Sequence, residues 1–251
     1  MSSEPQSVTG KGVLRLGNAK INLEVTMTTK PVRCVSMLPL FQQLTNMIVQ
    51  EGVEQIEATG EKISCKKGCG ACCRQLVPIA EPEAYQLQAL VEAMPEPRRT
   101  EIKKRFSDGR EKLIEAGVLE KVETPSATNK EEAIALGLKY FHTGVPCPFL
   151  EEESCSIHQD RPLACREYLV VSSPEHCANP TRETVHCITI PAHVSSVVKQ
   201  LSHSRPVPWL PLISALDFSE KHTDQSPTRP GPEWFQEVLQ QLKNHTSETR
   251  Q

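Results

Sequence analysis

Apolar and polar residues alternate over residues 13–27, on either side of the pair Gly17-Asn18. A period of two residues is typical of a strand that buries one face, and Gly and Asn favour a tight turn between two strands. The alternation therefore predicts two short strands that form a β-hairpin near the N-terminus.

Beyond the hairpin, apolar residues recur every three to four positions, which is the period of an amphipathic helix. The first such helix begins near Leu40 and ends near Gly60. Prolines mark several further helix starts and stops, because proline is favoured in the first turn and excluded from the interior. The pattern predicts five more helices, at residues 81–94, 98–116, 130–141, 194–201 and 231–242.

These helical stripes cover much of the chain, and the cysteine-rich stretches between them show neither period. We therefore expect a mainly α fold with cysteine-rich loops and a small N-terminal β-hairpin as its minor β component. At 251 residues the chain is long enough to bury an ordinary hydrophobic core. Its folding does not need disulfides to compensate for a small core.

The charge of the chain gives little reason to expect a nucleic-acid partner. The formal net charge is −3 at pH 7, so the chain lacks the overall positive field that attracts proteins to phosphate backbones. One basic cluster, in residues 98–105, is interleaved with acidic residues. Such mixed charge is typical of a solvated helix face, and the other interpretation is a surface for an acidic partner or RNA.

We expect the ten cysteines of the chain to be reduced. The N-terminal sequence lacks the charged start, apolar centre and cleavage site of a secretory signal, and no run approaches the ~18 apolar residues of a membrane span. This predicts a cytoplasmic protein without a membrane segment. In that compartment, clustered cysteines are more often metal ligands or catalytic groups than structural disulfides. A disulfide-linked secreted protein is the competing interpretation.

Four cysteines lie in the stretch CKKGCGACC of residues 65–73. Cys69 and Cys72 have the spacing at which two thiolates chelate one ion across a tight turn, and the glycines beside them favour such a turn. If the stretch were helical, its cysteines would still fall within an arc of about 100°. Either geometry gathers the four sulfurs on one side. The adjacent pair can face two different ions, or one ion and the edge of a cluster. The four cysteines of this stretch are Cys65, Cys69, Cys72 and Cys73.

A second group of cysteines lies in VPCPFLEEESCSIHQDRPLACREY, residues 145–168. Pro162 is well placed to begin a short helix, and the positive end of that helix would lower the pKa of the Cys165 thiol. Thiolate is the form that binds metal, so this placement would favour ligation. The group supplies Cys147, Cys155 and Cys165, while Cys177 and Cys187 follow further along the chain.

Basic residues beside the cysteines fit a metal-binding interpretation. Eight thiolates would carry eight negative charges, of which two divalent ions would cancel only four. Neighbouring cations could balance the remainder without binding the metal themselves. The candidates next to cysteines in the sequence are Lys66, Lys67, Arg74, Arg161 and Arg166.

The two cysteine groups together resemble a known family. CKKGCGACC, followed by CPFL, CSIH, RPLACR and SPEHC, is similar to the zinc- or iron-chelating cysteine-cluster family named for its CxxCxxCC signature. The resemblance covers residues 65–177, and its first spacing, CxxxC, is a variation seen among members. It implies metal binding and, through the flagellin lysine N-methylases in the family, a weaker link to methyl transfer. By this resemblance the metal ligands are Cys65, Cys69, Cys72, Cys73, Cys147, Cys155, Cys165 and Cys177.

The remaining histidines and cysteines near these groups are weaker candidates. His158 would make a further chelating pair with Cys155, but it stands where many relatives have an aromatic residue, and packing in place of that ring is favoured. Cys187 is expected to be an ordinary thiol, and Cys34 a small apolar residue between the strands and the first helix. Surface or supporting roles are favoured for the histidines that flank the groups, His142 and His176.

Three functions remain open on the sequence alone. The first is a metal-binding protein that chelates zinc or iron, with an iron–sulfur cluster as one form of the iron centre, through about eight cysteine thiolates. The second is an enzyme built on that metal centre, such as a protein lysine N-methyltransferase or a redox enzyme. Against an enzyme, the sequence has no glycine-rich cofactor loop, no phosphate loop and no HExxH, and it assigns no catalytic residue. The third is an interaction module that binds a protein partner and needs zinc only for its structure.

The helical pattern and the cysteine groups together predict three parts of the chain. Residues 1–60 form an N-terminal extension with two short strands and a helix. Residues 61–190 form the cysteine-cluster metal-binding domain. Residues 191–251 form a C-terminal helical appendage.

Overall fold

The structure is a computed structural model, and it describes residues 6–125, 129–181, 183–201 and 203–248. Within these ranges the fold is mainly α with a small N-terminal hairpin, as the sequence predicts. None of the described helices combines the length and the apolar character needed to cross a membrane. The helices, numbered in chain order, are α1 Leu38–Glu57, α2 Glu81–Glu92, α3 Arg98–Glu115, α4 Leu119–Glu123, α5 Lys130–Phe141, α6 Leu163–Glu167, α7 Pro174–Ala178, α8 Val194–Leu201, α9 Ala215–Lys221 and α10 Gly231–Glu248.

The N-terminal hairpin consists of β1, Ser7–Leu16, and β2, Ala19–Thr28, paired antiparallel through the turn at Gly17. Every second residue of β2 is buried, which is the cause of the alternation in the sequence. The hairpin is longer than predicted, because the first half of β1 is exposed on both faces and so carries no alternation. The remaining strands have two residues each, in the antiparallel pairs β3 Pro31–Val32 with β8 Arg229–Pro230, β4 Pro78–Ile79 with β7 Leu210–Pro211, and β5 Leu150–Glu151 with β6 Ser154–Cys155.

All six helices predicted from the apolar period are present. The side chain of Asn129 caps α5, where its Oδ1 accepts a hydrogen bond of 2.9 Å from the Glu132 N–H. By its residue type and position in the sequence, Thr128 could also cap this helix, and it lies outside the described residues. The short helix α6 begins directly after Pro162, as expected, whereas α4, α7 and α9 were not predicted because five to seven residues are too few to show a period.

Two hydrophobic clusters hold these elements together. One joins the buried face of the hairpin to α1, α8 and α10, and at its centre the fully buried Trp234 donates its indole N–H to the Val32 carbonyl oxygen at 3.0 Å. The other joins α2, α3, α4 and α9. The chain passes from the second cluster at Ile157 to the first at Leu163, between Cys155 and Cys165. The division of the chain into three parts remains a prediction.

The basic residues at the start of α3 are all engaged in ion pairs with carboxylates. Two arginines share Glu151, at 3.3 and 3.1 Å, and the others bind acidic groups on α2, on α3 or just before it. The surface is therefore of mixed charge, and the choice between a solvated helix face and a surface for an acidic partner or RNA stays a prediction. The five residues are Arg98, Arg99, Lys103, Lys104 and Arg105.

Two glycines let the first cysteine segment reach the hairpin of β5 and β6. Gly68 has φ of +85°, a left-handed conformation that side chains other than glycine rarely adopt. Gly70 lies against the hairpin so closely that a Cβ atom there would be 2.5 Å from Leu150 Cδ1 and 2.6 Å from the Glu153 carbonyl oxygen. The approach of the two segments therefore requires a residue without a side chain at position 70.

Two buried glutamates fix α6, the helix that carries Cys165. Glu83 on α2 accepts backbone N–H groups at both helix starts, from Ala80 and from Leu163, each at 2.8 Å. Glu167, the last residue of α6, accepts the backbone N–H of Ser195 at 2.9 Å and its hydroxyl at 2.6 Å. Through these contacts α6 is joined to α2 at its beginning and to α8 at its end.

Replacing Gly70 by alanine is expected to destabilise the fold by about 1–3 kcal/mol, because the new methyl group overlaps the β5–β6 hairpin. The matched control is Gly137→Ala in α5, where a Cβ atom would meet nothing within 4 Å. That change should stabilise the protein by about 0.5–1 kcal/mol, since alanine is the better helix former. Urea unfolding measures the change in the free energy of unfolding for both variants. Equal effects of the two substitutions would contradict the close approach at Gly70.

Replacing Glu83 by glutamine is expected to remove a component of the pH dependence of stability. Burial raises the pKa of Glu83 to about 7 from the ordinary 4.5. The folded state then binds a proton that the unfolded state releases, so the stabilisation is present below pH 4.5 and is lost as the pH rises to about 7. It amounts to about 3 kcal/mol.

The measurement is urea unfolding between pH 4 and pH 8 for the wild type, Glu83→Gln and the exposed control Glu101→Gln. The control should keep the wild-type pH dependence and Glu83→Gln should lose part of it. Identical curves for all three proteins would show that Glu83 is not perturbed by burial.

Candidate metal centre

The first cysteine segment forms turns rather than an α-helix. The Cys69 N–H bonds to the Lys66 carbonyl oxygen at 3.1 Å, and a single 3-10 turn, Ala71–Arg74, follows. This turn carries the adjacent Cys72 and Cys73. Of the two geometries open from the sequence, the structure has the tight turn.

The second cysteine segment is held against the first by backbone contacts. The Cys147 N–H donates to the Cys73 carbonyl oxygen at 2.7 Å, and the Cys147 carbonyl oxygen accepts the Leu150 N–H at 2.9 Å. Leu150 is in turn the strand partner of Cys155. The two segments, distant in sequence, are therefore adjacent in the fold.

Cys165 and Cys177 reach the same region from two short helices. Cys165 lies within α6, and α7, which carries Cys177, packs directly on the 3-10 turn of the first segment. The chain between these helices also binds the first segment, since Val170 donates its N–H to the sulfur of Cys65 at 3.4 Å. Four separate parts of the chain thus supply the sulfurs.

All eight cysteines predicted as ligands line one cavity of about 440 Å³. Apolar side chains form much of the remaining wall, including Phe149, Ile157 and Leu212. Polar side chains from later elements also face it, namely His158, Arg161, Glu167, Tyr168, His193 and Lys199. The cysteines brought together are Cys65, Cys69, Cys72, Cys73, Cys147, Cys155, Cys165 and Cys177.

The thiols surround the cavity without meeting at a point. Over the described ranges of the chain, no three His, Cys, Asp or Glu side chains are grouped closely enough to hold a metal ion in this arrangement. The donor set itself fits the expected metals, because thiolate sulfur is the preferred ligand of structural zinc and of iron–sulfur clusters. All ten cysteines lie in the described residues, and none of them forms a disulfide.

Burial keeps most of these thiols protonated. It raises the pKa of Cys147 to about 12 and that of Cys177 to about 11. It also raises the pKa of Cys165 well above the ordinary value, so the expected lowering by the start of α6 is wrong: loss of solvation outweighs the dipole of a five-residue helix. Metal binding at these sulfurs would therefore release protons.

Cys72 is the exception to this pattern. A hydrogen bond from the Cys73 thiol lowers the pKa of Cys72 to about 7, and the positive charge of Arg161 acts in the same direction. The same hydrogen bond raises the pKa of Cys73. The thiol of Cys72 therefore loses its proton more readily than that of Cys73.

Of the cations proposed to balance the thiolates, Arg161 is the one whose charge reaches several of them. It lowers the pKa of Cys65, Cys72 and Cys155, and its Nε is buried without a hydrogen-bond partner in the described part of the chain. Lys66 also lines the cavity. The other candidates point elsewhere or lie outside the cavity wall: Arg74 binds Glu153 at 2.6 Å, Arg166 binds Asn46 at 3.1 Å, and Lys67 is not among the lining residues.

The sequence did not indicate the side of the cavity formed by α8. There His193 Nδ1 lies 3.2 Å from Glu167 Oε2. Burial lowers the pKa of the half-buried Lys199, and the nearby charges of Glu167 and Glu83 act in the opposite direction. Their spacing from the cysteines in the sequence matches no metal-binding motif. The one feature that could have indicated this side of the cavity is the charged residue Glu167, two positions after Cys165.

The histidines and cysteines outside the eight predicted ligands lie in different parts of the fold. His158 lines the cavity, while His142 and His176 are not among the lining residues. Cys34 is 1% exposed and packs in the core beneath the hairpin. Cys187 is exposed at the edge of the site, where it contacts the Tyr168 hydroxyl.

Comparison with known proteins bears on the same stretch of chain. A family model named CxxCxxCC, described as "Putative zinc- or iron-chelating domain", matches residues 64–187, about half of the sequence. The comparisons with curated proteins and with solved structures gave no match. The match supports metal binding by the segment that supplies all eight sulfurs of the cavity. Residues 64–187 of this chain are therefore a member of the CxxCxxCC family.

Proposed function

We propose that this protein binds zinc or iron through the eight cysteine thiolates of the cavity. The observation that carries the proposal is their convergence: sulfurs from four parts of the chain, from Cys65 to Cys177, line one cavity. Unpaired thiols in such a number need a stabilising partner or a reducing environment. The absence of disulfides among them supports the cytoplasm as the place where the protein works.

Electrostatics support a filled centre with cations around it. Eight thiolates and two divalent ions would leave four negative charges in the cavity, and Arg161, Lys66 and Lys199 are placed at its wall to offset them. Zinc would need only sulfur ligands, four to each ion. Iron would use the same cysteines with inorganic sulfide in a cluster. Cysteine thiolates bind both metals, and elemental analysis distinguishes zinc from iron.

A second candidate is an enzyme that uses the metal centre. The observation that favours it is the size of the cavity, since about 440 Å³ lies in the range of small-molecule pockets, roughly 300–1,000 Å³. The apolar wall of Phe149, Ile157 and Leu212 would suit an organic ligand beside the metal. Methyl transfer to lysine or a redox reaction are the activities to test. Binding of a labelled methyl donor to the metal-loaded protein supports the first, and its failure to bind removes methyl transfer.

The proposal predicts that the purified wild type contains zinc or iron in stoichiometric amount. A variant with Cys72→Ser and Cys73→Ser should lose most of this metal, because both substitutions remove sulfurs that line the cavity. The matched control carries Cys34→Ala and Cys187→Ser, two cysteines outside the cavity wall, and should keep its metal.

Elemental analysis of protein purified without oxygen measures the metal, and the visible spectrum distinguishes an iron–sulfur cluster from colourless zinc. A wild type without either metal would contradict the proposal. Equal metal loss in the two double variants would contradict the assignment of the ligands to the cavity.

A further inference from the structure

We infer that the eight thiols divide into two sets of four, that each set closes around its own metal ion when metal binds, and that the two sites meet at the peptide bond between Cys72 and Cys73. This inference rests on the proposed function and specifies how its ligands are divided. One site consists of Cys65, Cys69, Cys72 and Cys177. The other consists of Cys73, Cys147, Cys155 and Cys165.

The turn that carries the adjacent cysteines separates their side chains. In a 3-10 turn successive residues are about 120° apart around the axis, so neighbouring side chains leave in different directions. Ala71–Arg74 is such a turn, and Cys72 and Cys73 are its middle residues. The two residues are consecutive in the chain, which places the two sites side by side.

Contacts of the first segment assign Cys177 to the first site. Helix α7 packs on the 3-10 turn, which brings Cys177 to the loop of Cys65, Cys69 and Cys72. The same loop is bound to the chain before α7, where Ser64 donates its N–H to the Val170 carbonyl oxygen at 2.9 Å and Val170 donates its own N–H to the Cys65 sulfur. The ligands of the first site therefore form one local unit.

Contacts of the second segment assign Cys73 to the second site. The carbonyl oxygen of Cys73 accepts the Cys147 N–H, and the β5–β6 hairpin holds Cys147 next to Cys155 through Leu150. Cys147 and Cys155 both pack on the hydrophobic cluster of α2 and α3, which none of the first-site cysteines joins. Cys165 is connected to α2, a helix of the same cluster, through α6, because the Leu163 N–H at the start of α6 donates to Glu83.

The cavity wall also supplies a cation that can serve both sites. Arg161 lines the same cavity as the eight thiols, and its Nε is buried without a hydrogen-bond partner among the residues that the structure describes. Its positive charge can therefore offset thiolate charge in either site.

The test compares Cys177→Ser with Cys165→Ser in the full chain, reconstituted without oxygen with Zn²⁺. The wild type should bind two ions, and each variant should bind one. Alkylation of accessible thiols followed by mass spectrometry then identifies the site that was lost. In Cys177→Ser, the thiols of Cys65 and Cys69 should become reactive while those of Cys147 and Cys155 stay protected.

Cys165→Ser should give the opposite pattern, with Cys147 and Cys155 reactive and Cys65 and Cys69 protected. Cys187→Ser, outside the cavity wall, is the control and should keep two ions. A second pair, Cys69→Ser and Cys155→Ser, repeats the test at half-buried loop and hairpin positions in case a buried substitution prevents folding.

If either variant of a pair loses both ions and exposes all remaining cavity thiols while staying folded by circular dichroism, the sulfurs form a single centre and the division is wrong. A wild type that binds no Zn²⁺ and contains no iron is a different result. It would overturn the proposed function itself.

Discussion

The site depends on one backbone contact, the 2.7 Å hydrogen bond from the Cys147 N–H to the Cys73 carbonyl oxygen. This bond joins two cysteine segments that are far apart in sequence, and it does so next to the adjacent thiols of Cys72 and Cys73. The contact is possible because Gly70 has no side chain where the β5–β6 hairpin passes. The glycines of the cysteine motif therefore serve the approach of the segments as well as the turn.

The rest of the fold holds these segments in place. They contain little regular structure of their own, so their positions are fixed by the helices around them. Glu83 connects α6 to α2, and Glu167 connects α6 to α8. The chain between Ile157 and Leu163 passes from one hydrophobic cluster to the other. The buried carboxylate of Glu83 accepts one backbone N–H at the start of α2 and one at the start of α6, so it takes the place of a capping side chain at both helices.

Elements with a clear period could be predicted from the sequence. The apolar stripes of α1 to α3, α5, α8 and α10 and the inner face of β2 follow directly from the position of their apolar residues. The exposed half of β1 shows no alternation because it buries neither face, and α4, α7 and α9 are too short to show a helical period. Pairing with β2 fixes the exposed half of β1, and packing on neighbouring elements fixes the short helices.

In the cavity, too, some residues could be predicted from the sequence and others could not. Its cysteines were evident because their residue type and spacing carry the chemistry, whereas Glu167, His193 and Lys199 reach it only through the packing of α8 on α6. The pKa of Cys165 could not be predicted either, since its burial is a property of the folded chain. Spacing predicts which residues can bind metal, and packing decides which charges surround them.

X-ray absorption at the metal edge of the wild-type protein tests the central claim most directly. The account predicts that each zinc or iron ion has about four sulfur neighbours, with zinc–sulfur distances of about 2.3 Å. A first shell made mainly of nitrogen or oxygen atoms would contradict it, because the cavity thiols would then not be the ligands.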